Sequence, residues 1–245
     1  MDALLPLLFA AAVGFGHAFE ADHLLAVSNI VTKRNSVLLA IKDGIAWGLG
    51  HTSTIFFIGL LIIVGKIAIT DQTFHYFEAS VGVVLVSLGL FRLRYLWKMK
   101  SGYHAHFRLN DLFFWRKRPV RPASAAPFRT AAFMSPVNTL ALRYAPHTDS
   151  HRLAYVVGLI HGLAGSGALV ILVMSQIPSP LHAMAYLLIF GIGSVGGMLL
   201  ASGVFSLPFS KKISASAVLQ VGLTLVSSLL CVAYGIRVIW ENLVG

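Results

Sequence analysis

The sequence predicts an all-α polytopic membrane protein of six transmembrane helices, arranged as two inverted three-helix repeats. Three observations carry that prediction. Of the 245 residues, 57% are hydrophobic and only 11% charged, with a mean hydropathy of +0.79. A soluble domain carries roughly 25% charged residues, so too few polar side chains exist here to cover a water-facing surface. Six apolar stretches reach the length of about 20 residues that a helix needs to cross hydrocarbon. The first three stretches resemble the last three at a nearly constant offset.

Span one lies within residues 1–32, which contain no Lys or Arg. It lacks a basic n-region and runs far past the apolar core of a cleavable signal, so it is expected to be retained. Span two occupies 44–65, a segment without Asp, Glu, Lys or Arg, and span three occupies 74–97. Spans four to six follow at 153–176, 181–210 and 213–236. None shows the alternating ten-residue pattern of a membrane barrel strand. The expected units are a first repeat at 1–97, a basic loop at 98–152 and a second repeat at 153–245.

Seventeen of the 19 Lys and Arg residues fall in the loops after spans one, three and five; the other side has Lys66 and Arg237. Basic residues favour the cytoplasmic face. Both termini are therefore expected outside a cell (inner, cytoplasmic) membrane, with the basic loops in the cytosol. The formal charge of +10 then reflects topology and contact with the lipid bilayer rather than nucleic acid. Cys231 is the only cysteine, which excludes a disulfide framework, a Cys-rich zinc module and a two-cysteine redox relay. The segment 98–152 carries five prolines and ten basic residues, a composition compatible with a surface-lying amphipathic element. Its histidines, with His151 at the end, read as solvated.

The repeat rests on three ordered matches. Val13-Gly14-Phe15-Gly16-His17 aligns with Val157-Gly158-Leu159-Ile160-His161 at 144, and Gly48-Leu49-Gly50 with Gly191-Ile192-Gly193 at 143. Val81-Gly82 and Leu85-Val86-Ser87 align with Val221-Gly222 and Leu225-Val226-Ser227 at 140. Three spans per unit is an odd number, so the two halves must face opposite ways, a recurrent transporter design with its site between the halves. The spacings Gly44-x3-Gly48, Gly158-x3-Gly162 and Gly193-x3-Gly197 suit close helix packing.

Ionisable groups are costly inside a membrane and mark pathways or sites. Span one holds His17, Glu20, Asp22 and His23, and imidazole with carboxylate suits nickel, cobalt or zinc. At 100° per residue an unbroken helix would set Asp22 140° and His23 240° away from His17. Either the helix is interrupted, with Gly14 and Gly16 helping, or ligands come from several spans. His51 in span two and His161, at the repeat position of His17, are the further candidates. The expected metal set is His17, Asp22, His23, His51 and His161. Glu20, Thr52, Ser53, Ser166 and Asn29 are expected to orient these ligands or line the pathway. Ser166 is no nucleophile elbow, because residue 164 is alanine where that motif needs glycine.

With these residues assembled, the sequence resembles the nickel/cobalt transporter superfamily, in its short six-span, UreH-like branch of urease-accessory nickel permeases. The resemblance lies in His17-x4-Asp22-His23 followed by Leu24-Leu25-Ala26, in Trp47-Gly48-Leu49-Gly50-His51-Thr52, in the stretch from Gly158 to Ser166, and in Phe190-Gly191-Ile192-Gly193-Ser194. It implies movement of Ni2+ or Co2+ as substrate across the cytoplasmic membrane, with the signature histidines and aspartate essential. No tightly bound cofactor and no enzymatic activity are expected. A cytosolic metallochaperone or metalloenzyme maturation protein is the expected partner. Many relatives carry a dense histidine tract in the central loop, absent here, and often an aspartate where Glu20 stands. The rival readings are a non-transporting metal-delivery or assembly factor and a membrane-embedded metalloenzyme.

Overall fold

The computed structural model describes residues 4–32, 34, 36–67, 70–101, 151–162, 177–210 and 217–245. Every regular element among them is helical. In order they are α1 (Leu4–His17), α2 (Ala21–Val31), α3 (Val37–Ile63), α4 (Asp71–Ser101), α5 (Arg152–His161), α6 (Pro180–Ser206) with a 3-10 turn at Leu207–Phe209, and α7 (Ala217–Leu243). Four helical segments are long and apolar enough to cross a membrane: Val37–Ile63, Asp71–Trp97, Pro180–Phe209 and Val218–Leu243. Two shorter apolar ones are Pro6–His17 and Arg152–His161.

Span one is thus two helices rather than one. Phe19 N–H donates to Gly16 O at 2.9 Å and Glu20 N–H to His17 O at 3.1 Å, tight i to i−3 bonds that close α1. Glu20 then turns extended (φ −63°, ψ 154°) as the N-cap residue of α2. The interruption falls at Ala18–Glu20 and not at the glycines. Gly14 and Gly16 are both helical; Gly14 faces the carbonyl of Phe190 too closely for any Cβ, whereas a Cβ on Gly16 would meet nothing. Span two also begins earlier than its apolar run: α3 starts at Val37, so Lys42 and Asp43 are helical residues rather than loop residues. Of span four only α5 and Gly162 are described.

The most extensive helix pairs are α4 with α7 and α3 with α6, followed by α1 with α6 and α3 with α5. Glycine makes these approaches possible, since backbones lacking a Cβ reach van der Waals contact where lipid offers no hydrophobic drive. Gly44 lies on Met198 O and Ser202, Gly162 on His51 O, and Gly197 on Phe15 O and Ala18. The contacts are reciprocal. Gly14 meets Phe190 O as Gly158 meets Trp47 O; Gly50 meets Tyr155 O and Leu159 N as Gly193 meets Ala11 O and Phe15 N. Gly48 lies on Val195 as Gly191 lies on Thr52. In each couple the residues exchange places at an offset of 143 or 144.

Polarity is distributed from the inside out. Leu181, Ile192, Phe9 and Trp97 are among many large apolar side chains that are mostly exposed, whereas His17, His23, His51 and His161 are all buried. Such a surface is matched to hydrocarbon, and such an interior needs specific polar partners.

Candidate metal centre

Four helices deliver the central side chains. His17 is the last residue of α1, His23 lies in the first turn of α2, His51 is in the middle of α3, and His161 ends α5. The break at Ala18–Glu20 reorients the chain between His17 and His23, and their rings meet edge to face at 4.5 Å. His51 is 4.9 Å from His17 and 5.1 Å from His23, ring centre to ring centre. One ligand atom from each of these three lies within 4.8 Å of the others. The helix of span one is interrupted between His17 and His23, and α3 brings His51 to the same place.

The ring nitrogens lie close to one another and to two carboxylates. His17 Nδ1 is 3.1 Å from Glu20 Oε1, so its N–H faces a carboxylate and its Nε2 carries the lone pair. That Nε2 lies 2.9 Å from His51 Nε2. Two ligands at right angles, each about 2.1 Å from a metal, stand about 3.0 Å apart. His23 Nδ1 is 3.1 Å from Asp22 Oδ1, yet neither His23 nitrogen makes a hydrogen bond. Among the described residues, eight buried side-chain nitrogen or oxygen atoms have no hydrogen-bond partner, and four are nitrogens of His23, His51 and His161. Buried polar groups in folded proteins are nearly always satisfied. Three adjoining histidines with unpartnered ring nitrogens make this cluster the candidate donor set for a metal ion.

Asp22 lies beside this cluster with Glu20, and both share His23 in a second group whose ligand atoms are within 4.8 Å. His161 stands just outside the three-histidine group, its ring 5.6 Å from His23 and 5.1 Å from Trp47. Its Nδ1–H donates to Val157 O at 3.1 Å, which turns Nε2 into an unpartnered acceptor.

The remaining sequence candidates are elsewhere. Thr52 Oγ1 donates to Gly191 O at 3.2 Å and ties α3 to α6. Ser53 is exposed and donates to Leu49 O of its own helix, so it does not enter the cluster. Asn29 donates to Ser227 O and accepts from Ser228 Oγ at 3.0 Å, joining α2 to α7. Ser166 lies outside the described residues. His104, His106 and His147 do too, but His151 is not a solvated loop residue, because its Nδ1 is 2.7 Å from Asp43 Oδ1.

Trp47 and Phe190, which the sequence reading names only within the motifs of the resemblance, wall the cluster. Phe190 packs tilted against His17 at 5.5 Å, and Trp47 meets His161 edge to face at 5.1 Å. Helical periodicity carried a signal, since Trp47 precedes His51 by one turn, and Phe190 sits at its repeat position. Buried Asp43 was missed; it adjoins the apolar run of span two and bears no sequence mark of its partners.

Two known proteins are similar to this chain. The urease accessory protein UreH of Bacillus sp. (strain TB-90) is 31% identical over 210 residues, covering 86% of this chain and 80% of that protein. A high-affinity nickel transport protein of Cupriavidus necator is 30% identical over 107 residues, covering 42% of this chain and 30% of that protein. No family model matches the chain, and no solved structure does.

Proposed function

The chain belongs to the UreH-like branch of the nickel/cobalt transporter superfamily, and we propose that it is a permease for a divalent transition-metal ion, Ni2+ or Co2+. The observation that carries this reading is the convergence of His17, His23 and His51 within 4.8 Å inside a multi-pass helical bundle whose outer faces are apolar. His17 Nε2, His51 Nε2 and His23 bind the dehydrated ion. Glu20 orients His17, Asp22 offsets the charge beside His23, and His161 waits next to the site. The ion is substrate in this reading.

The architecture in this proposal is six spans in two inverted halves, residues 1–97 and 153–245, with both termini outside a cytoplasmic membrane and 98–152 as a cytosolic loop. The reciprocal contacts at offsets of 143 and 144 support the inverted relation. The helices α1 and α5 also end at matching residues, His17 and His161. Discontinuous helices at a site between inverted halves are a transporter arrangement, and alternating exposure of the two halves moves the ion. Protonation of imidazole competes with metal, so flux is expected to respond to a proton gradient; unchanged flux across imposed gradients removes that coupling.

The test is Ni2+ and Co2+ uptake into proteoliposomes, wild type against His17→Ala and Asp22→Asn, with Zn2+ and Mn2+ as competitors. Saturable uptake lost in both variants is the expected result. One relative's description as a urease accessory protein favours a second reading, metal delivery to a cytosolic maturation protein. Tight metal binding without flux would favour it over transport.

A further inference from the structure

Ser194 of α6 is fully buried and its hydroxyl has no partner. Other helical serines here behave differently. Ser28, Ser53, Ser87, Ser206 and Ser228 each donate to a carbonyl three or four residues back. An unsatisfied buried hydroxyl is costly, and Ser194 forgoes a bond that these other helical serines make.

Its position explains what it faces. Ser194 follows Phe190 by one turn, as His51 follows Trp47, and the two pairs are 143 residues apart. Phe190 packs on His17 and Trp47 packs on His161. The adjoining residues obey the same exchange, with Gly193 on α1 and Gly50 on α5. Under this relation the His17–His51 pair maps onto His161 and Ser194. His161 is prepared for a ligand, with Nδ1–H committed to Val157 O and a buried, unpartnered Nε2.

We propose that His161 Nε2 and Ser194 Oγ form a second station for the same divalent cation, the pseudo-symmetric counterpart of the His17–His51 pair. This rests on the permease reading above. His23 stands between the two stations, 4.5 Å from His17 and 5.6 Å from His161 ring to ring, and hands the ion across. A hydroxyl oxygen is a weaker donor to nickel or cobalt than imidazole. The second station therefore holds the ion loosely, as conduction requires of a site that must also release it.

The experiment titrates Co2+ into the detergent-solubilised full chain carrying Ser194→Cys, a nearly isosteric change, with wild type as control for the native Cys231. A thiolate-to-cobalt charge-transfer band in the variant, absent from wild type and lost in Ser194→Cys/His161→Ala, is the expected result. A silent Ser194→Cys that still binds Co2+ through His17 overturns the second station and leaves the permease reading standing. A band that survives His161→Ala overturns the pairing with His161. A wild type that binds neither Co2+ nor Ni2+ overturns the permease reading, and this station with it.

Discussion

Arg34 holds Asp43 side-on, with Nε donating to Oδ2 at 2.5 Å and Nη2 to Oδ1 at 2.7 Å. The carboxylate is 2% exposed, and His151 reaches the same Oδ1 from the residue preceding α5. One acidic group thereby ties the α2–α3 connection to the start of α5. Two-point guanidinium–carboxylate pairing is strong and directional. Removing one partner of a buried pair strands the other charge, at a cost of about 3–5 kcal/mol. Arg34→Met is expected to lose stability in that range, and Arg34→Met/Asp43→Leu much less, as thermal unfolding in detergent will measure. A double-variant loss equal to the sum of the Arg34→Met and Asp43→Leu losses would mean that the pair is not coupled.

His17, His23 and His51 act on one ion in this reading, so their losses should not add. Outer-sphere changes at metal sites cost 10–100-fold, and removal of a direct ligand should cost at least about 100-fold. His17→Ala and His51→Ala should each weaken Co2+ binding to that degree, and the double variant no further than the worse single one. Residues sharing one partner depart from additivity; independent, multiplying losses in isothermal titration would separate the two histidines.

Glu20 contacts the far nitrogen of His17 and sits half-exposed at the helix break. Glu20→Gln keeps the shape and removes the charge that fixes His17 with Nε2 free. Metal affinity is expected to fall about 10–100-fold with thermal unfolding unchanged. An affinity equal to wild type would make Glu20 a bystander.

The reciprocal contacts predict paired sensitivities. A Cβ at Gly50 or Gly193 would run into backbone of α5 or α1, respectively, whereas one at Gly222 would meet nothing. Gly50→Ala and Gly193→Ala should each cost about 1–3 kcal/mol through overpacking. Gly222→Ala should gain up to about 1 kcal/mol of helix propensity. Melting curves of the three variants decide this, and a harmless Gly193→Ala beside a damaging Gly50→Ala would contradict the symmetry.

The sequence by itself determined the membrane class, the approximate helix positions and the residue types at the centre. Those properties are one-dimensional: apolar run length decides what can enter hydrocarbon, and His17, His23 and His51 stand out because imidazole is costly there. It also registered the repeat, since glycines at close helix crossings recur at fixed offsets. Tertiary structure alone decided which polar groups meet. The break at Ala18–Glu20 turns His23 toward His17, and packing of α3 brings His51 from 34 residues away. Packing likewise sent Ser53 outward, gave Asn29 to α7 and joined Asp43 to Arg34 and to His151, 9 and 108 residues distant. A short hydroxyl can bond its own helix three or four residues back, but the histidines, Asn29 and Asp43 meet partners on other elements, and which element that is depends on how the helices pack.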